Sequence, residues 1–429
     1  NRLMKINYNL KLIFREIQLI SKSSLIHNFS YLSISQGFNI LVPLITLPYI
    51  LNVLGKEMYG LVVYSQAIVS YLVIFVSFGF NTLAIKEISI HRNNKDKLSG
   101  IVSSVLILKG GMFLICLALL FIGLRLIPQA NGYESLFLLS MWICLYEFIF
   151  PIWYFQGIEK MKYITYLNVV SRLIFLILIF LLIKSPHHYL RLPIINGIGV
   201  IVTGIASLII VFKSHKIKFI LPSSDELILF IKKSLNYFIS NAAIKFYSSS
   251  NKVILGSVLG MAEVAYYDLA DKIITVFRAV PLRIVRDSIF PKVAKTKNIK
   301  IVWYTTLIMG AYSIIAIIFI LFFAETIVLT LGNKDMLPTV NVLKLFSLFI
   351  FTTHISNYYI TVALWSWGYE KIFRNIMLIS SILFLFIYLY LWFANIINIY
   401  TVTAVPILVD IYTIIHIYII SKQKNHFKT

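Results

Sequence analysis

Apolar stretches of the length that crosses a lipid bilayer recur along almost the whole of this sequence. A membrane-spanning helix needs about 20 predominantly apolar residues. Hydrophobic residues make up 59% of the 429 residues and charged residues only 13%, which is about half the charged share of a soluble domain. The mean hydropathy is +0.86. These features predict an all-α polytopic membrane protein.

The apolar stretches can be placed as twelve crossings, six before and six after a polar stretch at 213–233. With both termini in the cytoplasm, 27 of the 39 Lys and Arg residues fall in cytoplasmic segments and 5 in periplasmic loops. The positive-inside rule requires such a bias, and one missed crossing would scramble it. The predicted crossings lie near 27–51, 60–85, 100–124, 135–155, 166–183, 193–212, 235–259, 265–290, 301–323, 338–367, 374–393 and 397–420.

This topology divides the chain into five segments. Residues 1–25 are basic with apolar residues at helical spacing, which predicts an amphipathic helix on the cytoplasmic membrane surface. A six-helix bundle at 26–212 is followed by a cytoplasmic linker at 213–233, a second six-helix bundle at 234–420 and a basic cytoplasmic tail at 421–429. Matching halves around a central cavity are a common transporter architecture.

Charged residues inside the seventh and eighth crossings are the main functional signal. A charge at the centre of a bilayer costs about 2.5–3.5 kcal/mol on insertion scales, so several in two helices need a reason. The usual reason is a water-filled cavity that handles a polar or ionic passenger, which predicts a transporter. The charged residues are Lys245, Lys252, Asp268, Asp271, Lys272 and Arg278.

Several segments resemble the polysaccharide-unit flippases of the multidrug/oligosaccharidyl-lipid/polysaccharide exporter superfamily. Their order and spacing match over most of the chain. Many members carry an acidic residue where Asn251 stands here, so no carboxylate role transfers to that position. The matching segments are Leu47–Leu61, Gly79–Asn81 with Lys86–Ser89, Trp153–Met161, and Asn251–Gly256 with Ala265–Ile273.

The resemblance implies two six-helix bundles around a V-shaped cavity that opens alternately to the two sides of the bacterial inner membrane. It implies a passenger made of an oligosaccharide on undecaprenyl diphosphate, moved from the cytoplasmic to the periplasmic leaflet. The product would be O-antigen or another surface polysaccharide. A polysaccharide polymerase and a chain-length regulator are implied as partners. Drug antiporters share the fold, so the fold alone does not decide the passenger.

The depths of the charges suggest which of them contact the passenger. Taking the turn between the two crossings near 260–263, Lys252 lies level with Asp271, and the two can neutralise each other. Lys245 lies level with Arg278 near mid-membrane, with no carboxylate at that depth on these two helices. Two like charges favour an anion such as a diphosphate, which Arg can bind through two hydrogen bonds. The alternative is that one of them pairs with Asp410 on the last crossing.

Further candidates lie in the first bundle. Arg172 lies near the cytoplasmic end of the fifth crossing and either reaches the headgroups or meets the diphosphate. Gln36 and Asn39 belong to a polar series on the first crossing that suits sugar hydroxyls, or that holds helices together. Lys109 and Glu147 lie within about one helical turn in depth and are expected to form a structural pair.

Four carboxylates are candidates for coupling transport to an ion gradient, because a carboxylate at low dielectric binds a proton more readily. Asp410 and Asp271 rank above Glu147 and Asp268. No cofactor, metal site, catalytic group or nucleic-acid partner is predicted: the phosphate-binding loop GxxxxGK[ST] is missing from the sequence, and the positive charge follows the topology.

Two other functions remain open at the level of the sequence. A polymerase or ligase acting on lipid-linked sugars usually carries a large periplasmic loop, but the longest outer loop here is only about a dozen residues. A drug or metabolite antiporter of the same fold would favour aromatic and acidic residues for a cationic passenger. Lys245, Arg278 and Lys252 instead make the predicted cavity basic, which favours an anionic passenger and makes all three candidates for binding it.

Overall fold

The computed structural model describes residues 24–285, 289–358, 362, 364 and 366–423. Residues 1–23 of the predicted amphipathic segment and the last six residues of the basic tail lie outside the described residues. The described residues form α-helices joined by short connections, with no strand among them. The helices are α1 (Ser24–Ser77), α2 (Phe80–His91), α3 (Lys95–Gly123), α4 (Glu134–Leu139), α5 (Trp142–Ile149), α6 (Ile152–Gly157), α7 (Met161–Leu182), α8 (Arg191–Ile209), α9 (Ser224–Val258), α10 (Met261–Ile284), α11 (Phe290–Thr296), α12 (Ile299–Leu331), α13 (Thr339–Tyr358), α14 (Glu370–Phe393) and α15 (Ile399–Gln423).

Helix α1 consists of two segments that meet at Gly55. Gly55 has φ 75° and ψ 166°, which lies outside helical geometry and in a region that glycine adopts without a steric penalty. We call residues 24–54 segment α1a and residues 56–77 segment α1b. The bend lies between the first two predicted crossings.

Nine stretches of the described residues are long and apolar enough to cross a membrane, which confirms a polytopic membrane protein. One stretch, Ser30–His91, contains Gly55 and so covers two predicted crossings. Helices α9 and α10 do not belong to the nine, and they carry the charges discussed above. The number of twelve crossings and the position of the termini stay predictions.

The fourth predicted crossing is not one continuous helix. It is divided into α4, α5 and α6, and Pro151 stands between the last two. Proline has no backbone N–H to donate and its ring clashes with the preceding turn, so a helix ends there. The division was not expected from the apolar pattern, because that pattern reports burial rather than backbone continuity.

The polar stretch predicted as a linker is half helical. Helix α9 begins at Ser224, and Ser223 and Glu226 form a reciprocal capping box that satisfies free N–H groups at its first turn. The chain between α8 and α9 lies along α3. The backbone N–H groups of Lys218 and Ile220 there donate to the hydroxyls of Ser99 and Ser103, at 3.0 and 2.9 Å.

The buried apolar core is continuous between residues 24–214 and residues 224–423, which we call the N-terminal and C-terminal halves. Segment α1b packs against α9 and α10 of the other half. Helix α13 packs against α10, α12 and α15 and is central to the C-terminal half. We name the two membrane faces after residues in their connections: the Gly260 side, where α9 turns into α10, and the His215 side, where the halves are joined.

Candidate functional site

Four charged side chains of α9 and α10 form one cluster. The Nζ of Lys252 lies 2.7 Å from an oxygen of Asp268 and 2.9 Å from an oxygen of Asp271. Lys272 donates to the other oxygen of Asp268 at 2.6 Å. The predicted pairing of Lys252 with Asp271 is therefore confirmed. The sharing of Asp268 by two lysines was not predicted.

The cluster forms because α9 and α10 are antiparallel and joined by a tight turn. Gly260 in that turn has φ 123°, a backbone conformation that residues with a side chain rarely adopt. Asp268 and Lys272 are four residues apart and so share one helix face. Lys252 faces them from α9, and the two positive and two negative charges balance within the pair of helices.

A tyrosine from the N-terminal half enters this cluster. The hydroxyl of Tyr59 on α1b donates to Asp268 and accepts a hydrogen bond from Lys272. Nearby, Lys56 donates to the hydroxyl of Tyr266 at 3.0 Å, again from one half to the other. Sequence reasoning missed both tyrosines. Tyr59 does lie in the segment 47–61 that carries the family resemblance, but nothing in its own pattern separates it from an interfacial tyrosine.

Arg278 lies deeper along α10, towards the His215 side. Its guanidinium carbon is 4.1 Å from the centre of the Phe349 ring, an arrangement that attracts a cation to the ring face. The charge of Arg278 also acts on Asp410, which is half-buried on α15. Arg278 thus lies within electrostatic range of the carboxylate that the sequence offered as its alternative partner, although the two are not among the described ion pairs.

Asp410 is held by hydroxyl groups of α13. One of its oxygens accepts hydrogen bonds from Thr353 at 3.0 Å and from Thr352 at 3.4 Å. Lys245, predicted to lie level with Arg278, has its backbone in α9, but its side chain lies outside the described residues. The predicted pair of Lys245 and Arg278 stays a prediction.

His354 on α13 connects α12 and α10 through hydrogen bonds near Arg278. Its Nδ1 is 2.7 Å from the hydroxyl of Ser313 on α12, and its Nε2 is 3.4 Å from the backbone oxygen of Arg278. The ring is fully buried. This arrangement agrees with a packing histidine that satisfies buried polar groups.

The expected pair of Lys109 and Glu147 is present in the N-terminal half. The Lys109 Nζ lies 2.7 Å from the carboxylate of Glu147 and 2.7 Å from the side-chain oxygen of Asn81, while Asn81 also donates to Glu147. Lys109 is 1% exposed and Glu147 18%. The three side chains come from α2, α3 and α5 and satisfy each other, which fits a structural role.

The other candidates of the N-terminal half separate into two groups. Arg172 on α7 donates to the side-chain oxygen of Asn39 on α1a at 2.8 Å, and Asn168, one turn earlier on α7, donates to Ser35 at 3.0 Å. These contacts hold α1a to α7. Gln36 is exposed and does not belong to that set.

Asn251 lies in a network of uncharged side chains. Tyr388 donates to its side-chain oxygen at 2.6 Å, and its amide donates to the hydroxyl of Tyr267 at 2.7 Å. The amide is 4% exposed. All its polar contacts are to uncharged groups, so this position contributes hydrogen bonds and no charge.

A cavity of about 420 Å³ opens on the His215 side between α2, α3 and the first turns of α9. Its charged lining includes Glu87, Lys97 and Lys233. Those side chains are exposed or half-buried. The cavity contains none of the residues predicted for the passenger or for ion coupling.

His215 lies in the connection that follows α8. Its Nδ1 is 3.1 Å from the hydroxyl of Tyr154. Burial lowers the pKa of the imidazole below its usual value, and the charges of Lys160 and Lys162 lower it further. The ring is therefore neutral at physiological pH and packs as an aromatic group among its neighbours.

The family model described as polysaccharide biosynthesis protein matches residues 25–297, which is well over half of the chain. Two curated relatives carry names that describe them as O-antigen transporters. The one from Escherichia coli (strain K12) is 29% identical over 373 residues, covering 85% of this chain and 89% of the relative. The one from Shigella dysenteriae is 29% identical over 272 residues, covering 63% and 68%.

Solved structures of multidrug transporters share the fold. A structure titled as the inward-facing conformation of a multidrug resistance MATE family transporter of the MOP superfamily superposes with a TM-score of 0.74 at 12% identity, covering 90% of this chain and 96% of that one. One titled as an outward-facing conformation gives 0.63 at 13% identity, covering 95% and 96%. The expected superfamily fold and a multi-pass inner-membrane location are confirmed.

Proposed function

Because the chain belongs to the polysaccharide biosynthesis protein family, we propose that it moves a lipid-linked oligosaccharide across the bacterial inner membrane. The passenger is an O-antigen or related repeat unit on undecaprenyl diphosphate, and it moves from the cytoplasmic to the periplasmic leaflet. The names of the two relatives, which are matched over most of their own lengths, support a transporter rather than an enzyme. The His215 side is cytoplasmic in this proposal, and the two halves rock as two bundles.

The observation that carries the anionic passenger is the placement of Arg278. It is a cation on a membrane helix, stacked on the ring of Phe349 and close to Asp410. An intramembrane arginine is rare and costly unless it has a function or a partner. A diphosphate offers several acceptor oxygens and about two negative charges, and the flat guanidinium can bind it through two hydrogen bonds.

Asp410 is the best supported of the four candidate carboxylates for ion coupling. Asp268 and Asp271 each contact a lysine within 3 Å, and so does Glu147. The described hydrogen bonds of Asp410 come instead from neutral hydroxyls. Among the described residues, Asp410 has no lysine within ion-pair distance, and the charge of Arg278 is the one that favours its ionised form. Such a carboxylate exchanges a proton or a small cation more readily than one that contacts a lysine within 3 Å.

The test is transbilayer movement of the host strain's own undecaprenyl-diphosphate oligosaccharide in proteoliposomes. Wild type is compared with Arg278→Ala, Arg278→Lys and the matched control Arg125→Ala, which removes an exposed arginine. We expect wild type and the control to move the lipid, Arg278→Ala to lose at least tenfold in rate, and Arg278→Lys to lie between them. The lysine variant keeps the charge but not the paired hydrogen bonds.

Two outcomes would contradict the proposal. If wild type moves no lipid with or without an imposed ion gradient, an antiporter of small molecules becomes the better assignment. If both variants at position 278 match wild type, the arginine is a structural partner of Asp410 and not a passenger contact.

Ion coupling is tested with Asp410→Asn. This variant is expected to keep movement of lipid down a lipid gradient but to lose its response to an imposed proton or sodium gradient.

A further inference from the structure

The Gly260 side of the interface between the halves is closed by very close backbone packing. A Cβ atom on Gly60 of α1b would lie 1.8 Å from the backbone oxygen of Met261 on α10. A Cβ atom on Gly256 of α9 would lie 2.2 Å from the ring of Tyr64. Two glycines, one in each half, therefore allow an approach that any larger residue would prevent. We call this contact of α1b with α9 and α10 the seam.

Polar contacts also join the two halves on the Gly260 side, both at the seam and beyond it. Tyr59 joins Asp268 and Lys272, as described above, and its side chain is 2% exposed. Further out, Asn333 donates to Asn52 at 3.0 Å. All of these are hydrogen bonds between the halves. The ion pairs of the cluster, in contrast, lie within the C-terminal half.

Because the described ion pairs of the cluster lie within one half and the polar contacts between the two halves here are hydrogen bonds, the halves can separate reversibly. The four charges on α9 and α10 already balance, so separating the halves leaves each charge with its ionic partner. What Asp268 and Lys272 lose is one neutral hydroxyl, which water can replace. Separating an ion pair would leave uncompensated charges in the membrane, at a much larger cost. Among the described residues, the seam can therefore open without breaking a salt bridge.

The end of α1b on the His215 side can act as a pivot for the movement of the N-terminal half against α9. Gly79, after α1b on the His215 side, packs closely on the backbone of α9: a Cβ atom there would lie 2.7 Å from the oxygen of Ser234 and 2.8 Å from the nitrogen of Phe238. The rings of Phe78 and Phe238 stack at 4.4 Å between centroids. This apolar contact can persist while the other end of α1b moves away.

We propose that Tyr59 is the latch of a gate on the Gly260 side, and that this gate opens when its hydroxyl leaves Asp268 and Lys272. Release of the passenger on that side, as the proposed function requires, takes place through the opened seam. The latch itself is a property of the protein without passenger, and it can be tested without one.

The test uses a thiol placed in the seam. Ser250 on α9 is 4% exposed and accepts a hydrogen bond from Tyr71 of α1b at 2.8 Å. We call Ser250→Cys the seam probe. In proteoliposomes it should react slowly with a small membrane-impermeant thiol reagent added on the Gly260 side, at a rate proportional to the open fraction. The two native cysteines, Cys116 and Cys144, are buried in the N-terminal half and report unfolding instead.

Tyr59→Phe removes only the latch hydroxyl. Losing a hydrogen bond to charged groups shifts an equilibrium about 10- to 100-fold, so labelling of the seam probe should rise by that factor. The matched control is Tyr49→Phe, whose hydroxyl donates to the backbone oxygen of Ile183 at 2.6 Å within one half. The control should leave the labelling rate unchanged, and Cys144 should stay unlabelled in both variants.

Two results would overturn the latch. One is equal labelling of the seam probe in Tyr59→Phe and in Tyr49→Phe. The other is labelling of Cys144 in parallel with the probe, which would mean that the variant loosens the fold and not the gate. Because no lipid passenger is added, a failed flipping assay would leave this result intact, and a failed labelling result would leave the flipping assay intact.

Discussion

The two halves each contain a cluster of charges on helices predicted to cross the membrane, and the clusters differ in which parts of the molecule they connect. In the N-terminal half, Lys109 and Glu147 form a pair with Asn81, and the lysine is 1% exposed. In the C-terminal half, Lys252 and Lys272 are 21% and 31% exposed. The second cluster also receives Tyr59 from the other half, whereas the first is complete within its own.

The difference shows that an intramembrane charge is not by itself a functional site. A buried pair that satisfies itself holds helices together and moves with them as a unit. A balanced cluster at an interface can accept a neutral group from the opposite surface and release it again, because its own charges stay paired. Variants of each cluster should therefore differ in their effects on stability and on the seam.

Lys109→Met should have the largest effect on stability, because it leaves Glu147 as an unpaired charge within the bundle. Removing one partner of a buried ion pair costs about 3–5 kcal/mol. We expect a large loss of folded protein and of thermal stability in detergent. The double variant Lys109→Met/Glu147→Met should recover more than half of the loss. If the double variant is no more stable than Lys109→Met, the assignment of Lys109 and Glu147 as a structural ion pair is contradicted.

Gly60→Ala should have the next largest effect, and it should act on the gate. The added methyl group overlaps the backbone oxygen of Met261, and such overpacking costs about 1–3 kcal/mol. The closed seam should be disfavoured and labelling of the seam probe should rise. Gly204→Ala is the control, because its methyl group meets Ile149 within the N-terminal half. The control should lower thermal stability without raising the labelling.

Asp268→Asn should have a smaller effect than Lys109→Met. Lys252 keeps Asp271 as a partner, and Lys272 is exposed enough to be hydrated, so we expect a stability loss of about 1–2 kcal/mol. Labelling of the seam probe should increase at the same time, because the charged acceptor of Tyr59 is lost. Equal decreases in melting temperature for Asp268→Asn and Lys109→Met would contradict the distinction between the two clusters.

Arg92→Ala should have the smallest effect. Arg92 and Glu159 form an ion pair at 3.3 Å, but their side chains are 52% and 56% exposed. Exposed pairs contribute about 0–1 kcal/mol because water and salt screen them. The melting temperature in detergent should change by less than about 2 °C. A larger change would mean that the solvent exposure of an ion pair does not predict its contribution to the stability of this protein.

Much of the fold could be predicted from the sequence. Apolar length and the distribution of lysine and arginine indicated a polytopic helical protein, since the bilayer enforces both. The pairing of Lys252 with Asp271 followed from helix geometry once the turn was placed. The pairing of Lys109 with Glu147 followed from their depths along neighbouring crossings.

The site could be predicted only in part, because depth along a helix does not determine which helices meet. Asp268 was assigned to ion coupling, although two lysines hold it. Tyr59 gave no signal, since the sequence does not show that α1b crosses α10 at its level. The electrostatic interaction between Arg278 and Asp410 was foreseen only as an alternative, for the same reason.

The central claim is that the halves separate on the Gly260 side during transport, and a reversible cross-link between them on that side tests this most directly. Asn52→Cys and Asn333→Cys replace two side chains that are hydrogen-bonded between the halves, and a short bifunctional thiol reagent can join them. The control pair is Tyr133→Cys with Tyr189→Cys, whose rings are 5.9 Å apart within one half. We predict that the first cross-link stops lipid movement, that reduction restores it, and that the control cross-link has no effect. Undiminished movement with the first cross-link in place would contradict the claim.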